Sequence, residues 1–462
     1  MKILKRITIL AFCIVLLIPI FTFNTEENSI SEIDNRTLAE NPLTIEASED
    51  FTTDVENYVN DRIGFRNEMI LTYTVLNDKL FGKMVHPAYT YGKNGYVFGA
   101  GLDVNIRYNE FHEVFADMVK EVQDYCEERD IPFLFVFDPA KPAIMTEYIA
   151  EGINYNREWV DEFLQALEER EVHYLDNTET LKMAKEDGKQ VFNQKYDANH
   201  WNDIGAYYGT NAMLEEMKKD IPTVHVNTED DIEFTEVKQE SLLVSKFPIN
   251  EMVPEAVFNT EYEDYSKDYI DEIELDESYK AFRYCVNLTR KEEEAPKALV
   301  FQGSYMNGYG FRFLRNAFSE YIHVHDYQNI LNFPYYYNIF KPDCVIFEVA
   351  EYTFSDTYFN FEKMKTLNFQ STYQDMLTES EVSLEVFPIE GLEVEEGKTL
   401  TKLNWNQSES LEQVWLLMGD AEYDLFRTET GYTVTVLTAE YQKYKEELKL
   451  AGVAEGKMRY WR

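Results

Sequence analysis

Three short apolar runs constrain this chain more than any other feature. Residues 131–137, 297–301 and 344–349 are apolar at nearly every position rather than at alternate ones. A strand apolar on both sides needs cover on both faces, which is the situation of a parallel sheet flanked by helices. Helical periodicity lies between and around these runs, over residues 105–128, 158–170, 203–218 and 308–319. Residues 173–175 and 321–324 read as further short strands. The fold class expected is therefore α/β, a largely parallel sheet with helices on both faces.

Around this unit the texture changes. Residues 50–81 are helical in period, and Gly92, Lys93, Asn94 and Gly95 between aromatics mark a hairpin turn. Residues 224–296 are crowded with acidic side chains and read as an insertion, with edge hairpins, between two halves of one domain of residues 51–370. After residue 380 the pattern alternates. Residues 414–418 and 432–437 read as antiparallel strands of a small β-rich C-terminal module, residues 380–462.

The N-terminus bears on the compartment. Lys2, Lys5 and Arg6 precede an apolar run over residues 7–23. A positive flank followed by an apolar helix is the order of a secretory signal or signal anchor. No small-x-small cleavage site closes it, so an uncleaved anchor is expected, with a cleaved signal as the alternative. Residues 1–6 would be cytoplasmic, residues 24–50 a polar stalk, and the bulk extracellular. Cys13 lacks the small preceding residue of a lipoprotein site. Cys126, Cys285 and Cys344 allow at most one disulfide and require none.

Charge excludes several partners. Asp and Glu outnumber Lys and Arg by 85 to 43, a formal net charge of -42. Nucleic acid and anionic lipid are not expected partners, since both need clustered cations. A highly anionic polymer would need a local basic groove. No phosphate-binding glycine loop or dinucleotide fingerprint occurs, and no cofactor is expected. His323 and His325 have no cysteine partners, so no zinc site is expected.

Two positions carry chemistry. Asp197-Ala198-Asn199-His200-Trp201-Asn202 precedes a helix. A carboxylate there can fix one imidazole nitrogen of His200 and leave the other as a base. Asp197 or Asp203 would equally serve as a helix cap, leaving His200 incidental. Phe301-Gln302-Gly303-Ser304-Tyr305 ends an apolar strand and leads into a helix. Ligands of open α/β sheets bind beyond the carboxyl ends of the strands, and a serine at such a turn is exposed beside backbone amides. The alternative is a serine that merely caps. Together the two positions give a serine nucleophile, a histidine base and an aspartate orienter. Gly303 and Ser304 are the candidate oxyanion donors. Lys141, Trp201 and Tyr305 are candidate substrate contacts, though Lys141 also reads as a solvated lysine and Trp201 as a packed one. Tyr335, Tyr336 and Tyr337 are either a glycan groove or a half-buried aromatic stretch.

These residues resemble the SGNH hydrolase-like proteins of the alginate O-acetyltransferase type, and the related bacterial proteins named for an Asp-His-His-Trp motif. Further motifs agree in order. Asp34-Asn35-Arg36-Thr37-Leu38-Ala39 with Pro42 resembles the family's opening motif. Glu56, Tyr58, Asp61, Arg62, Phe65 and Arg66 resemble its first helix, Gly92 to Phe98 its Gly-x-Gly-aromatic turn, and Pro139-Ala140-Lys141 its Pro-x-Lys segment. Gly205-Ala206 stand where expected after Trp201. The chain departs in three places. Two residues separate Asp197 from His200 where one is usual, Gly303 replaces an aspartate before the nucleophile, and Glu351-Tyr352 stands where an acidic-Arg pair is common.

The resemblance implies a membrane-anchored extracellular O-acyl transferase, acetyl first, acting on a cell-surface polysaccharide. It also implies a partner, a multipass membrane acyltransferase that supplies acyl groups. A deacetylase or esterase using the same triad is the alternative within enzymes. A non-catalytic glycan-binding or export scaffold is the alternative outside them.

Overall fold

The computed structural model describes residues 2–26, 29–31, 36–44, 51–86, 88–102, 106–243, 246–276 and 279–462. Asp34 and Asn35 of the opening motif, and Asn105 at the start of one expected helix, lie outside the described residues.

The apolar runs form the sheet they call for. Its strands are β1 (Phe133–Asp138), β2 (Tyr174–Asp176), β3 (Glu263–Asp264), β4 (Phe282–Val286), β5 (Lys297–Gln302), β6 (Glu320–His325) and β7 (Cys344–Ala350). The spatial order is β2-β1-β7-β5-β6-β4-β3. The first five run parallel, while β4 pairs antiparallel with β6 and β3 antiparallel with β4. Every residue of β7 and of β1 is buried.

Alternation sorts the side chains between two cores. Phe135, Phe137, Leu299, Phe301, Val345 and Phe347 pack on one face with Phe115 and Val119 of the helix Glu110–Glu127 and Phe163 of Glu158–Glu169. Leu134, Val136, Ala298, Val300 and Ile346 pack on the other with Leu181, Met213, Leu214 and Phe313. Those residues lie on the helices Asn177–Glu186, Asp203–Lys218 and Phe311–Ala317. The result is a three-layer α/β unit.

Residues 224–296 supply a long hairpin, Ile232–Ser241 with Pro248–Phe258, and add the antiparallel strands β3 and β4 at one edge of the sheet. Residues 51–81 form two helices, Phe51–Arg62 and Arg66–Phe81, broken at Phe65 with φ 59. The described part of the stalk is tied down. Arg62 Nε donates to the Ala39 carbonyl at 2.9 Å, and the Ala39 amide donates to Asp61 at 2.9 Å.

The helix Lys2–Phe21 exposes its apolar side chains, Ile7 by 58% and Phe12 by 63%. Lys2, Lys5 and Arg6 lie inside it, which shortens its apolar part below the ~20 residues of a bilayer span. Among the described residues no helix is long and apolar enough to cross a membrane.

The C-terminal region is a β-sandwich. A five-stranded sheet, centred on Gln413–Met418 and Lys449–Ala454, faces a four-stranded sheet, centred on Leu400–Trp405 and Tyr432–Leu437. Leu403, Val434 and Val436 of one meet Val414, Leu416 and Leu450 of the other in a shared core. The sandwich is joined to the α/β unit through Asp424. Its carboxylate accepts the Tyr125 hydroxyl at 2.6 Å and lies 3.3 Å from the buried Arg129 guanidinium. Its backbone exchanges two hydrogen bonds with the Asn338 side chain.

Tyr335 and Tyr336 lie in the helix Phe333–Phe340 and are buried there. All four cysteines are free.

Removing one partner of a buried ion pair leaves the other uncompensated. Asp424→Ala is expected to lower stability by about 3 kcal/mol, seen as a lower midpoint in urea unfolding. An unchanged midpoint would mean that the Arg129 contact contributes nothing.

Candidate active site

Ser304, just beyond the carboxyl end of β5, and the loop before the helix Asp203–Lys218 face one cleft. His200 lies on that loop. Its Nδ1 is 2.7 Å from Asp197 Oδ1 and its Nε2 is 2.8 Å from Ser304 Oγ. Because Nδ1 faces a carboxylate it carries the proton, and Nε2 is left as the acceptor. The structure thus brings together the three residues expected from sequence.

The capping alternatives do not describe these residues. The helix cap is Asn202, whose side chain accepts the amides of Ile204 and Gly205, both at 3.0 Å. Asp203 instead accepts the Ala256 amide at 2.6 Å and pairs with Arg312. Ser304 Oγ bonds His200 and Tyr352, and the π-helical turn Met306–Gly310 follows it. Such turns concentrate at functional sites.

Asp197 has φ 53, a conformation that aspartate tolerates better than most residues. Its Oδ1 also accepts the amides of Asn199 (3.4 Å) and His200 (3.1 Å), and its Oδ2 accepts the Tyr309 hydroxyl at 2.9 Å. A closed turn therefore absorbs the additional residue between Asp197 and His200. Burial alone would raise the Asp197 carboxyl. The charge of His200 and the bonds from His200 and Tyr309 outweigh it and hold the group below the usual carboxylate range.

The loop is clamped from outside. Glu251, on the long hairpin, accepts the consecutive amides of Gln194, Lys195 and Tyr196 at 2.7, 2.9 and 2.6 Å. Sequence reading missed Glu251, because nothing in its neighbourhood sets it apart from the other glutamates of that hairpin. Tyr352 was also missed as a site residue. Its hydroxyl touches Ser304 Oγ and lies 3.0 Å from His200 Nε2. Burial pushes this phenol well above its ordinary range, so it remains a proton donor. Its place after the carboxyl end of β7 was the available signal.

The weaker candidates are corrected. Lys141 is fully buried (0% exposed) and donates to the carbonyls of Val97 (2.8 Å) and Gln194 (3.3 Å). It holds the hairpin of residues 89–99 against the His200 loop, and burial pulls its ammonium down to about 7. Trp201 is also 0% exposed and donates to the Tyr305 carbonyl at 3.2 Å. A Cβ on Gly209 would come within 2.3 Å of its ring, so glycine there admits the indole. Tyr305 is buried, its hydroxyl on the Pro139 and Asn199 carbonyls. All three side chains are buried and hydrogen-bonded within the protein. The Gly303 amide donates to Glu348 at 2.9 Å and is not free for an oxyanion.

Beneath Gly303 lies a buried acidic group. Asp138 at the end of β1 and Glu348 on β7 interact directly, and Asp138 accepts from Asn177 at 2.7 Å. Burial pushes Asp138 up to about 7, and burial beside Asp138 and Asp326 pushes Glu348 well above its usual range. Both carboxyls therefore keep their protons to higher pH than exposed ones do. The Asp326 carboxylate lies 3.3 Å from where a Cβ of residue 303 would stand. An aspartate at 303 would oppose that charge, which gives Gly303 a physical reason. His323 and His325 are buried on β6, and among the described residues no group of three or more His, Cys, Asp or Glu could hold a metal ion.

This fold and this Ser-His-Asp geometry define an α/β unit with a candidate nucleophilic serine at a strand end. Residues 92–268 match the family described as SGNH hydrolase-like domain, acetyltransferase AlgX. The resemblance read from motif order is shown over that segment, which contains Asp197 and His200 and ends before Ser304. Similar solved structures include Bacillus cereus PatB1 with a sulfonyl adduct (16% identity, 58% of this chain, 97% of that chain, TM-score 0.45). The O-acetyltransferase domain of Pseudomonas putida AlgJ matches at 15% identity, 61% of this chain and 100% of that chain, TM-score 0.42. A DHHW family protein from Eubacterium siraeum matches at 13% identity, 62% of this chain and 100% of that chain, TM-score 0.41. No protein among the curated ones matches.

A folded-state carboxyl raised above its unfolded value contributes stability that is present at low pH. That stability is lost as pH rises through the folded value. The Asp138–Glu348 pair therefore predicts a Tm that falls between about pH 4 and the Asp138 value of about 7. Calorimetry of Asp138→Asn should show a flatter profile over that window, and an unaltered slope would contradict the raised Asp138 carboxyl.

Proposed function

We propose that this chain transfers acyl groups, acetyl first, to hydroxyls of a cell-surface polysaccharide, with Ser304 as nucleophile. The observation that carries this is the continuous path from Asp197 through His200 to Ser304, at 2.7 and 2.8 Å. Its support from comparison is the matched acetyltransferase-type domain.

In the proposed reaction Ser304 Oγ attacks the carbonyl carbon of an acyl donor, and its proton passes to His200 Nε2. Asp197 holds the imidazolium that forms. The tetrahedral intermediate collapses as the donor's leaving oxygen takes that proton. An acyl-Ser304 ester remains. A glycan hydroxyl then loses its proton to Nε2 and attacks the ester, and Ser304 recovers a proton as it leaves. With the Gly303 amide engaged, the Tyr352 hydroxyl beside Oγ is the donor proposed for the developing oxyanion. Water in place of the glycan would make the same site an esterase, so the acceptor decides between the two.

The acyl donor is proposed to come from a multipass membrane acyltransferase, as the family resemblance implies. The exposed apolar N-terminal helix supports a place at the outer face of the cell membrane, or export by a cleaved signal.

Acetyl transfer from an activated acetyl ester to an oligosaccharide tests the reading. Ser304→Ala and His200→Ala should each lower kcat by about a thousandfold or more. Tyr352→Phe should lower it by roughly a hundredfold with little change in KM. Activity that persists in Ser304→Ala would overturn the mechanism.

A further inference from the structure

The cleft above Ser304 has a volume of about 520 Å³. The catalytic residues form one side of it. Val237, Gln239, Leu243, Val253, Pro254 and Glu255, from the long hairpin and its tip, form the other. Its charges are three carboxylates, Asp197, Asp203 and Glu255, against one guanidinium, Arg312. That guanidinium is already spent. One terminal nitrogen pairs with Asp203, the other donates to the Ala256 carbonyl at 3.0 Å, and Nε is buried out of reach of solvent. Glu255 is exposed, with no ion pair among the described residues. The wall itself adds to the field, since the hairpin of residues 232–258 carries five glutamates and two lysines. One of those lysines, Lys238, pairs with Glu240 at 3.0 Å.

A chain with a net charge of -42 could take a polyanion only through a local basic groove. The acceptor cleft is not one. On the reading of this site as an acyl-transfer centre, we propose that its acceptor is a glycan free of carboxylate, sulfate and phosphate groups. The apolar wall of Val237, Leu243 and Val253 suits the apolar faces of uncharged sugar rings. Glu255 offers an acceptor to their hydroxyls, and it repels a uronate at the same position.

The test uses two oligosaccharides of equal length, a neutral cello-oligosaccharide and a polyanionic oligomannuronate. Calorimetry of both with the Ser304→Ala protein at low salt should show the neutral chain binding at least about tenfold tighter. Adding salt should narrow the gap by screening, and Glu255→Lys should narrow it as well. Equal or tighter binding of the oligomannuronate at low salt would overturn the proposal. Wild-type protein is run beside it with an activated acetyl ester. An acetyl-Ser304 adduct together with a preference for the uronate would remove this inference alone. Absence of both the adduct and any glycan binding would remove the acyl-transfer reading and this inference together.

Discussion

Burial of the parallel strands β1, β5, β6 and β7 on both faces is the constraint on which the rest of this structure depends. Such strands leave polar groups only at their ends, and the carboxyl ends of β1, β5, β6 and β7 gather Asp138, Gln302, Asp326 and Glu348 in one small volume. None of these groups is cheap to bury. The structure resolves the cost by holding Asp138 and Glu348 toward their protonated forms and by turning Glu348 toward the Gly303 amide. The serine turn is thereby fixed from below. The same amide is then occupied, which is why the hydroxyl of Tyr352 takes on importance at Ser304.

The other half of the site is fixed from above. Glu251 gathers three consecutive amides of the loop that leads to His200, and Lys141 ties that loop to the hairpin of residues 89–99. The acidic region after residue 224 thus braces the histidine loop and walls the cleft. Preorganisation of this kind is what a nucleophilic serine requires, since its base must be in place before substrate arrives.

Much of this was legible in the sequence where the signal is local. The strands β1, β5 and β7 followed from uninterrupted apolar runs, and the helix Asp203–Lys218 fell where its periodicity placed it. Asp197, His200 and Ser304 were found because each sits beside a turn at the end of a regular element. What sequence could not show was burial. A lysine after a strand reads as solvated, yet Lys141 is wholly enclosed, and of the two readings open for Trp201, substrate contact or packing, the structure shows packing over Gly209. β4 was missed because Arg283 and Tyr284 interrupt its apolar pattern, as an antiparallel strand near a sheet edge allows. Glu251 and Tyr352 act across more than 50 residues of chain, a separation on which local pattern is silent.

The central claim is that Ser304 is the one activated nucleophile of this chain, made so by His200 and Asp197. The most direct measurement is peptide mapping by mass spectrometry after exposure of the intact protein to a sulfonyl fluoride. The account predicts a single adduct on Ser304, formed more slowly at low pH and absent in His200→Ala. An adduct on another serine, or labelling of Ser304 that is indifferent to His200, would contradict it.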